Sequence, residues 1–140
     1  MSDQRVVVDS GYLLEAIMPT TAGLQSQALK LIGEIGSGRT RAVVPWIFFA
    51  EIAAGCAKGV RSRRVHDEDA QEFMRLLVDL GIDVDMRMDG ALSMYQNAMR
   101  FHAQAYDSIY IALAESMDLP VATVDSGMKT AVRSVKMDLY

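Results

Sequence analysis

The chain has little or none of several features that would assign it to a particular class of protein. It has a single cysteine, Cys56, so an internal disulfide is impossible and a disulfide-stapled secreted fold is excluded. Its longest apolar stretch, residues 42–57, is short for a membrane span and contains Pro45 and Glu51. The polar start MSDQR lacks the apolar core of a signal peptide. We therefore expect a cytoplasmic protein with no membrane segment.

Repeats, low-complexity tracts and linkers are also missing, and there are only three prolines in 140 residues. A chain of this length suits one domain, so we predict a single domain over residues 1–140. The net charge is −4, which argues against a protein that simply coats nucleic acid. It does not exclude a nuclease, because a bound metal can mask clustered acids.

Short apolar runs alternate with segments of helical period along the chain. The runs predicted as strands are residues 5–8, 41–45, 81–86 and 119–125, with a possible last strand in residues 134–140. Alternation of this kind is typical of an α/β fold in which a mainly parallel sheet lies between two layers of helices.

Local signals indicate where the helices start and which faces they bury. Pro45 is predicted at a helix start, and Asp69 with Glu72 resembles a capping box. Four residues of the segment after the third strand recur at helical spacing: Leu92, Tyr95, Met99 and His102. That spacing is typical of a helix face packed against the core.

Two acids occupy the ends of predicted strands. Asp9 ends the first strand, RVVVD, and Asp125 ends the fourth, VATVD. The carboxyl ends of parallel strands meet at one edge of the sheet, where ligands bind. We therefore expect the two carboxylates to lie on the same edge.

Two further acids stand in apolar surroundings. Glu51 is flanked by FFA and IAA inside an otherwise apolar helix, and Asp107 opens a helix whose next turns are almost wholly apolar. A buried charge is costly unless it is paired or bound to metal. Acidic oxygens suit magnesium or manganese, and the sequence has no Cys/His cluster for zinc.

Each acid also has an ordinary structural explanation. Asp107 could be a helix N-cap, Glu51 could form an ion pair with Arg41 or Arg100, and the two strand-end acids could be turn residues. For each acid taken singly, the structural explanation is at least as good as a functional role. Four acids in such places together favour a site.

Four segments, VVVDSGYLL, VPWIFFAEI, AYDSIYIALAE and VATVDSGMKTAV, resemble the successive motifs of PIN-domain ribonucleases, with VapC-type toxins of toxin–antitoxin modules as the closest subgroup. The resemblance runs from about residue 5 to residue 135. It implies a three-layer α/β/α domain with four or five strands. The metal-site acids that it implies are Asp9, Glu51, Asp107 and Asp125, supported by the hydroxyls of Ser10 and Thr123.

The resemblance also implies an activity and partners. The activity would be hydrolysis of RNA phosphodiester bonds with Mg²⁺ or Mn²⁺, the metal being held by Asp9, Asp107 and Asp125 and the site completed by Glu51. The partners would be an antitoxin protein and a second copy of the chain. The residues suggested for an antitoxin groove are Tyr12, Leu13, Leu14 and Ile17.

A basic segment, KGVRSRR, follows the second predicted strand–helix pair. It supplies Lys58, Arg61, Arg63 and Arg64. These side chains could form an arm that contacts RNA phosphates, which would position RNA without reading its sequence. A solvated loop between helices is an equally good interpretation.

Other functions stay open at this point. A housekeeping PIN nuclease in RNA processing cannot be separated from a toxin by sequence. A non-enzymatic RNA-binding or receiver-like regulatory domain would also place acids at strand ends. Receivers, however, need an acidic pair after the first strand, where Asp9-Ser10 stands, and the phosphatase pattern Asp-x-Asp meets Gly11 instead.

Overall fold

The computed structural model describes residues 4–140. It contains four strands: β1 Gln4–Val8, β2 Thr40–Pro45, β3 Asp83–Asp85 and β4 Val121–Ala122. They form one parallel sheet in the order β3-β2-β1-β4. The predicted α/β class with a parallel sheet is confirmed.

Seven helices connect and flank the strands: α1 Ser10–Leu14, α2 Ala22–Gly36, α3 Phe48–Arg61, α4 Asp67–Asp79, α5 Ala91–Phe101, α6 Ala105–Met117 and α7 Ser126–Ser134. Each crossover between neighbouring strands of the sheet contains at least one of them, as parallel pairing requires.

Strand β1 is central and completely buried. Val6, Val7 and Val8 all have 0% exposure, although successive side chains of a strand point to opposite faces. Both faces of the sheet are therefore covered, which explains why the run is continuously apolar rather than alternating. The chain leaves this strand at Asp9, at the carboxyl edge of the sheet.

The last residues add a single bridge to the sheet instead of the possible fifth strand. Val121 pairs with Leu139 in parallel, through bonds from the Val121 amide to the Asp138 carbonyl and from the Tyr140 amide to the Val121 carbonyl. Strand β4 is only two residues long, so it offers little edge for a longer ladder.

Helices α1 and α3 approach closely because α3 presents glycines to α1. An added Cβ at Gly55 would lie 2.6 Å from Leu14 Cδ1, and one at Gly59 would lie 2.1 Å from Sδ of Met18, in the segment that follows α1. Gly55 and Gly59 follow Glu51 at four-residue intervals, so all three lie on one helix face. The seam thus brings the start of α1 to Glu51.

Two of the predicted helix starts are wrong. Pro45 is the last residue of β2, and α3 begins at Phe48. Helix α4 begins at Asp67 with His66 in the N-cap position, so Asp69 lies inside its first turn and forms no capping box with Glu72.

The apolar face predicted for α5 exists but is exposed. Leu92, Tyr95 and Met99 are 68%, 61% and 60% exposed, and Phe101 is the buried residue of this helix. His102 lies beyond the helix end in a left-handed C-cap conformation and is also exposed. Periodicity correctly indicated an amphipathic helix, but this face does not contact the protein's own core.

No helix within residues 4–140 has both the length and the apolar character that crossing a membrane requires.

Candidate active site

Asp9 lies where β1 ends and α1 begins, and only 8% of the residue is exposed. It occupies the N-cap position of α1, but its side chain makes no capping hydrogen bond. The Thr123 hydroxyl donates a hydrogen bond to Asp9 Oδ2 instead, over 2.9 Å. The carboxylate is therefore held from the neighbouring strand rather than by its own helix.

Thr123 also contacts the second strand-end acid. Its Oγ1 accepts a hydrogen bond of 3.1 Å from the Asp125 amide, while Asp125 Oδ1 accepts one of 2.8 Å from the Met128 amide and so caps α7. One threonine thus joins the segments that carry Asp9 and Asp125.

Glu51 lies in the first turn of α3 and is half-buried. Its Oε1 accepts hydrogen bonds from the hydroxyls of Tyr110, at 2.5 Å, and Ser10, at 3.4 Å. The ion pair considered from the sequence is absent among residues 4–140, since Arg41 pairs with Asp83 and Arg100 with Glu115.

Asp107 is the third residue of α6 and is half-buried. The N-cap position of this helix belongs to Gln104, so the N-cap explanation for Asp107 is wrong. Among the described residues, no hydrogen bond or ion pair accounts for a half-buried acid at this position.

The four carboxylates interact electrostatically. Burial raises the pKa of Asp9 to about 6, a rise opposed by the Thr123 hydrogen bond and increased by the negative charges of Glu51, Asp107 and Asp125. Burial also raises the pKa of Asp107, again with help from the charges of Asp125 and Glu51. Four elements therefore direct negative charge into one region at the edge of the sheet.

The pKa values of Glu51 and of its partner Tyr110 are both raised. Burial raises the pKa of Glu51 against the opposing hydrogen bonds from Tyr110 and Ser10. Burial and the adjacent Glu51 carboxylate raise the pKa of Tyr110 well above its usual range. The phenol therefore stays protonated and donates.

The donor chemistry of this region fits a hard divalent cation, because carboxylate oxygens are the ligands that Mg²⁺ and Mn²⁺ prefer. Within residues 4–140, no three His, Cys, Asp or Glu side chains stand close enough to form a ready-made ligand set. Mutual repulsion, which also contributes to the raised pKa values of Asp9 and Asp107, opposes closer approach of the acids without a cation.

Sequence reasoning missed Tyr110. The residue follows Asp107 by three positions, so the two share one face of α6. A tyrosine at that spacing from a candidate acid, inside a mostly apolar helix, is the signal that could have found it.

The basic residues lie partly in helix α3 rather than wholly in a loop. Lys58 and Arg61 belong to its last turn, and Arg63 and Arg64 follow it. Lys58 and Arg64 line a surface depression that extends to Gly11, next to Ser10 in α1. The Arg64 guanidinium donates a 3.3 Å hydrogen bond to the Met18 carbonyl, which anchors it on that depression.

The antitoxin groove suggested from the sequence is wrong for two of its four residues, because Tyr12 and Leu13 are buried in the core. Leu14 and Ile17 are half-buried and line two surface depressions. Tyr12 and Leu13 therefore hold α1 in place instead of forming a free apolar surface.

Comparisons with known proteins identify the family and a similar fold. The sequence matches the family described as "PIN domain" over residues 6–133. It is 29% identical over 125 residues to the protein named Ribonuclease VapC1 in two strains of Mycobacterium tuberculosis, with 89% of each chain covered. Its fold is similar to that of PAE2754 from Pyrobaculum aerophilum, with a TM-score of 0.68 at 18% identity, covering 91% of this chain and 79% of that one.

Proposed function

Because this chain belongs to the PIN-domain family, we propose that it is a metal-dependent endoribonuclease that hydrolyses phosphodiester bonds of cytoplasmic RNA. The observation that carries the proposal is the electrostatic cluster of four carboxylates, contributed by four different elements, around the carboxyl edge of the sheet. Neighbouring negative charges that raise the pKa of Asp9 and Asp107 are unfavourable for folding, which favours a functional role for these acids.

We assign the cation to Asp9, Asp107 and Asp125, with Mg²⁺ or Mn²⁺ as the metal. When bound, such an ion lowers the pKa of a water molecule and neutralises charge on the attacked phosphate. Thr123 holds the Asp9 carboxylate through Oδ2, and the α7 cap holds Asp125 through Oδ1. Asp9 and Asp125 thus each have one anchored oxygen and one left for another ligand.

Glu51 has a different role in this proposal. Both of its hydrogen-bond donors contact Oε1, so Oε2 is available to orient the attacking water or to complete the metal site through water. Ser10 supports this carboxylate from α1, in the manner of the outer-shell partners that orient metal-site carboxylates.

The RNA backbone would approach over the depression lined by Lys58 and Arg64. The depression extends to Gly11, which follows Ser10 in α1. An RNA backbone lying in the depression would therefore run toward the four acids. Arg61 and Arg63 are exposed beside it and could contact flanking phosphates. Contacts of this kind provide affinity without sequence specificity.

We further propose that the chain is the toxin of a toxin–antitoxin module, by its similarity to the protein named Ribonuclease VapC1. Growth arrest on expression, relieved by the product of an adjacent gene, is the expected result. Expression without any effect on growth would favour a housekeeping role in RNA processing.

A homodimer formed through α5 is also part of the proposal. The helix exposes Leu92, Tyr95 and Met99 on one face, and Met86 and Met88 of the preceding loop are exposed as well. An apolar helix face can pair with its own copy about a two-fold axis, since that contact is self-complementary.

RNA cleavage by the purified protein tests the nuclease assignment. We expect cleavage with Mn²⁺ or Mg²⁺, none with EDTA, and none from Asp9→Asn or Asp107→Asn. Asp79→Asn is the matched control, because it removes the same charge from an exposed position of α4. Cleavage that survives EDTA, or full activity in Asp9→Asn, would contradict the proposal.

A further inference from the structure

The Tyr110 phenol makes a polar contact within the site. The residue is 0% exposed, and its hydroxyl donates a 2.5 Å hydrogen bond to Glu51 Oε1. The two residues are 59 positions apart, on α6 and α3. The bond therefore fixes the relation of two helices as well as that of two side chains.

The contact with Tyr110 involves only one of the two carboxylate oxygens of Glu51. Ser10 and Tyr110 both donate to Oε1. Among residues 4–140 there is no buried side-chain nitrogen or oxygen without a hydrogen-bond partner. Oε2, which receives neither bond, must therefore be accessible to solvent, and so to a water molecule or ion in the site.

Helix α6 carries a proposed metal ligand and this phenol on the same face. Asp107 and Tyr110 are three residues apart, which places them one turn apart on the helix. The helix that presents the Asp107 carboxylate therefore also holds the Glu51 carboxylate of α3. Any movement of α6 would move both groups together.

We infer that Tyr110 is a positioning residue of the nuclease site, whose hydroxyl holds Glu51 through Oε1 so that Oε2 is directed at the reacting water or cation. The inference rests on the proposed function. Phenylalanine at this position would keep the ring and remove only the hydroxyl, and with it the bond to Glu51 and the interaction with Ser10. Outer-shell partners of this type are worth about 10- to 100-fold in activity or metal affinity.

A double-mutant cycle with Tyr110→Phe and Glu51→Gln separates positioning from simple stabilisation. We expect Tyr110→Phe to lower kcat about 10- to 100-fold with an unchanged KM for RNA. In the Glu51→Gln background the same change should have no further effect on kcat, because the group on which Tyr110 acts is already altered. An unchanged kcat in Tyr110→Phe, or equal losses in both backgrounds, would overturn the inference.

Two further variants keep the experiment decisive. Tyr12→Phe removes the same atom from another buried tyrosine, whose phenol experiences the charge of Glu34 rather than Glu51, and should leave kcat unchanged. Ser10→Ala removes the second donor to Oε1 and leaves the Tyr110 hydroxyl in place, so it gives an answer even if Tyr110→Phe does not fold. It should lower kcat in the wild-type background only, and a wild-type kcat in this variant would count against positioning through Oε1.

Calorimetry with Mn²⁺ distinguishes failure of this inference from failure of the proposed function. The dissociation constant should rise about tenfold in Tyr110→Phe, and not rise further in the double variant relative to Glu51→Gln. If the wild type binds Mn²⁺ but cleaves no RNA, the proposed function fails while this measurement still tests Tyr110. If the wild type cleaves RNA and Tyr110→Phe matches it in kcat and in Mn²⁺ affinity, only the inference fails.

Discussion

Thr123 donates its hydroxyl hydrogen to Asp9 Oδ2 over 2.9 Å, although 114 positions separate the two residues in sequence. The bond crosses from the end of β4 to the end of β1, the pair of strands that runs Val7 beside Val121 and Val8 beside Ala122. The bond holds a nearly buried carboxylate in place but does not neutralise its charge. The free-energy cost of burying that charge can be measured.

Asp9→Asn should increase the free energy of unfolding of the metal-free protein near neutral pH. The pKa of Asp9 is about 6 in the folded state, against an ordinary value of 3.8, so the folded state binds this proton more tightly than the unfolded state. The contribution of Asp9 therefore favours folding below about pH 4 and is lost as the pH rises to about 6. Asparagine should avoid this loss and gain up to about 3 kcal/mol at pH 7.

Urea unfolding with EDTA at several pH values between 4 and 8 measures this effect. The difference between variant and wild type should grow from pH 4 to pH 6 and then remain constant. Thr123→Val in the same series should raise the pKa of Asp9 further, because it removes the bond that opposes the rise. A constant difference at every pH would show that Asp9 carries no raised pKa.

Gly55→Ala should destabilise the fold by about 1–3 kcal/mol, the usual cost of overpacking. The new methyl group would lie 2.6 Å from Leu14 Cδ1, so Leu14 must turn or α1 must move away from α3. Gly33→Ala in α2 is the control, because no atom lies within 4 Å of the added methyl group and alanine favours a helix. Chemical denaturation of both variants is the measurement, and equal stability changes would contradict the close α1–α3 seam.

Replacing Lys58 and Arg64 with glutamine should weaken binding of RNA and flatten its dependence on salt. Each lost phosphate contact lowers the slope of log K against log salt by about 0.7 for single strands. Lys30→Gln, an exposed change of the same charge near Glu34, should leave the slope unchanged. Binding is best measured with Asp9→Asn as the background, so that RNA is not cleaved. An unchanged slope when Lys58 and Arg64 are both replaced would contradict the proposal that RNA approaches over this depression.

Leu92→Asp combined with Met99→Asp should convert a dimer into a monomer. Both side chains are exposed on the same face of α5, where a charge costs little in the monomer but much in an apolar contact between copies. Val78→Asp on α4 is the matched control, since Val78 is 68% exposed like Leu92. Light scattering after size exclusion gives the mass. A wild-type monomer, or dimers of all three proteins, would contradict pairing through α5.

Local patterns in the sequence were enough to predict the strands and helices that carry the site. The valines of β1 and the apolar turns that follow Asp107 in α6 depend on neighbours a few residues away. The positions of Asp9 and Asp125 were equally predictable, because parallel strands end at one edge whatever the rest of the fold does. The helix starts expected at Pro45 and Asp69 could not be predicted in this way. A single proline or capping residue is compatible with several start positions for the helix that follows.

Only the tertiary structure decided the partners of those acids and the fate of the α5 face. Tyr110 and Glu51 meet because the tertiary fold places these residues of α6 and α3 within hydrogen-bond distance, and no local pattern contains a contact between residues 59 positions apart. Leu92, Tyr95 and Met99 show the period of a core face, yet α5 packs on α6 and α7 through other residues and leaves them exposed. Periodicity determines that a helix has an apolar face, while the packing of the whole chain determines whether that chain or another molecule covers it.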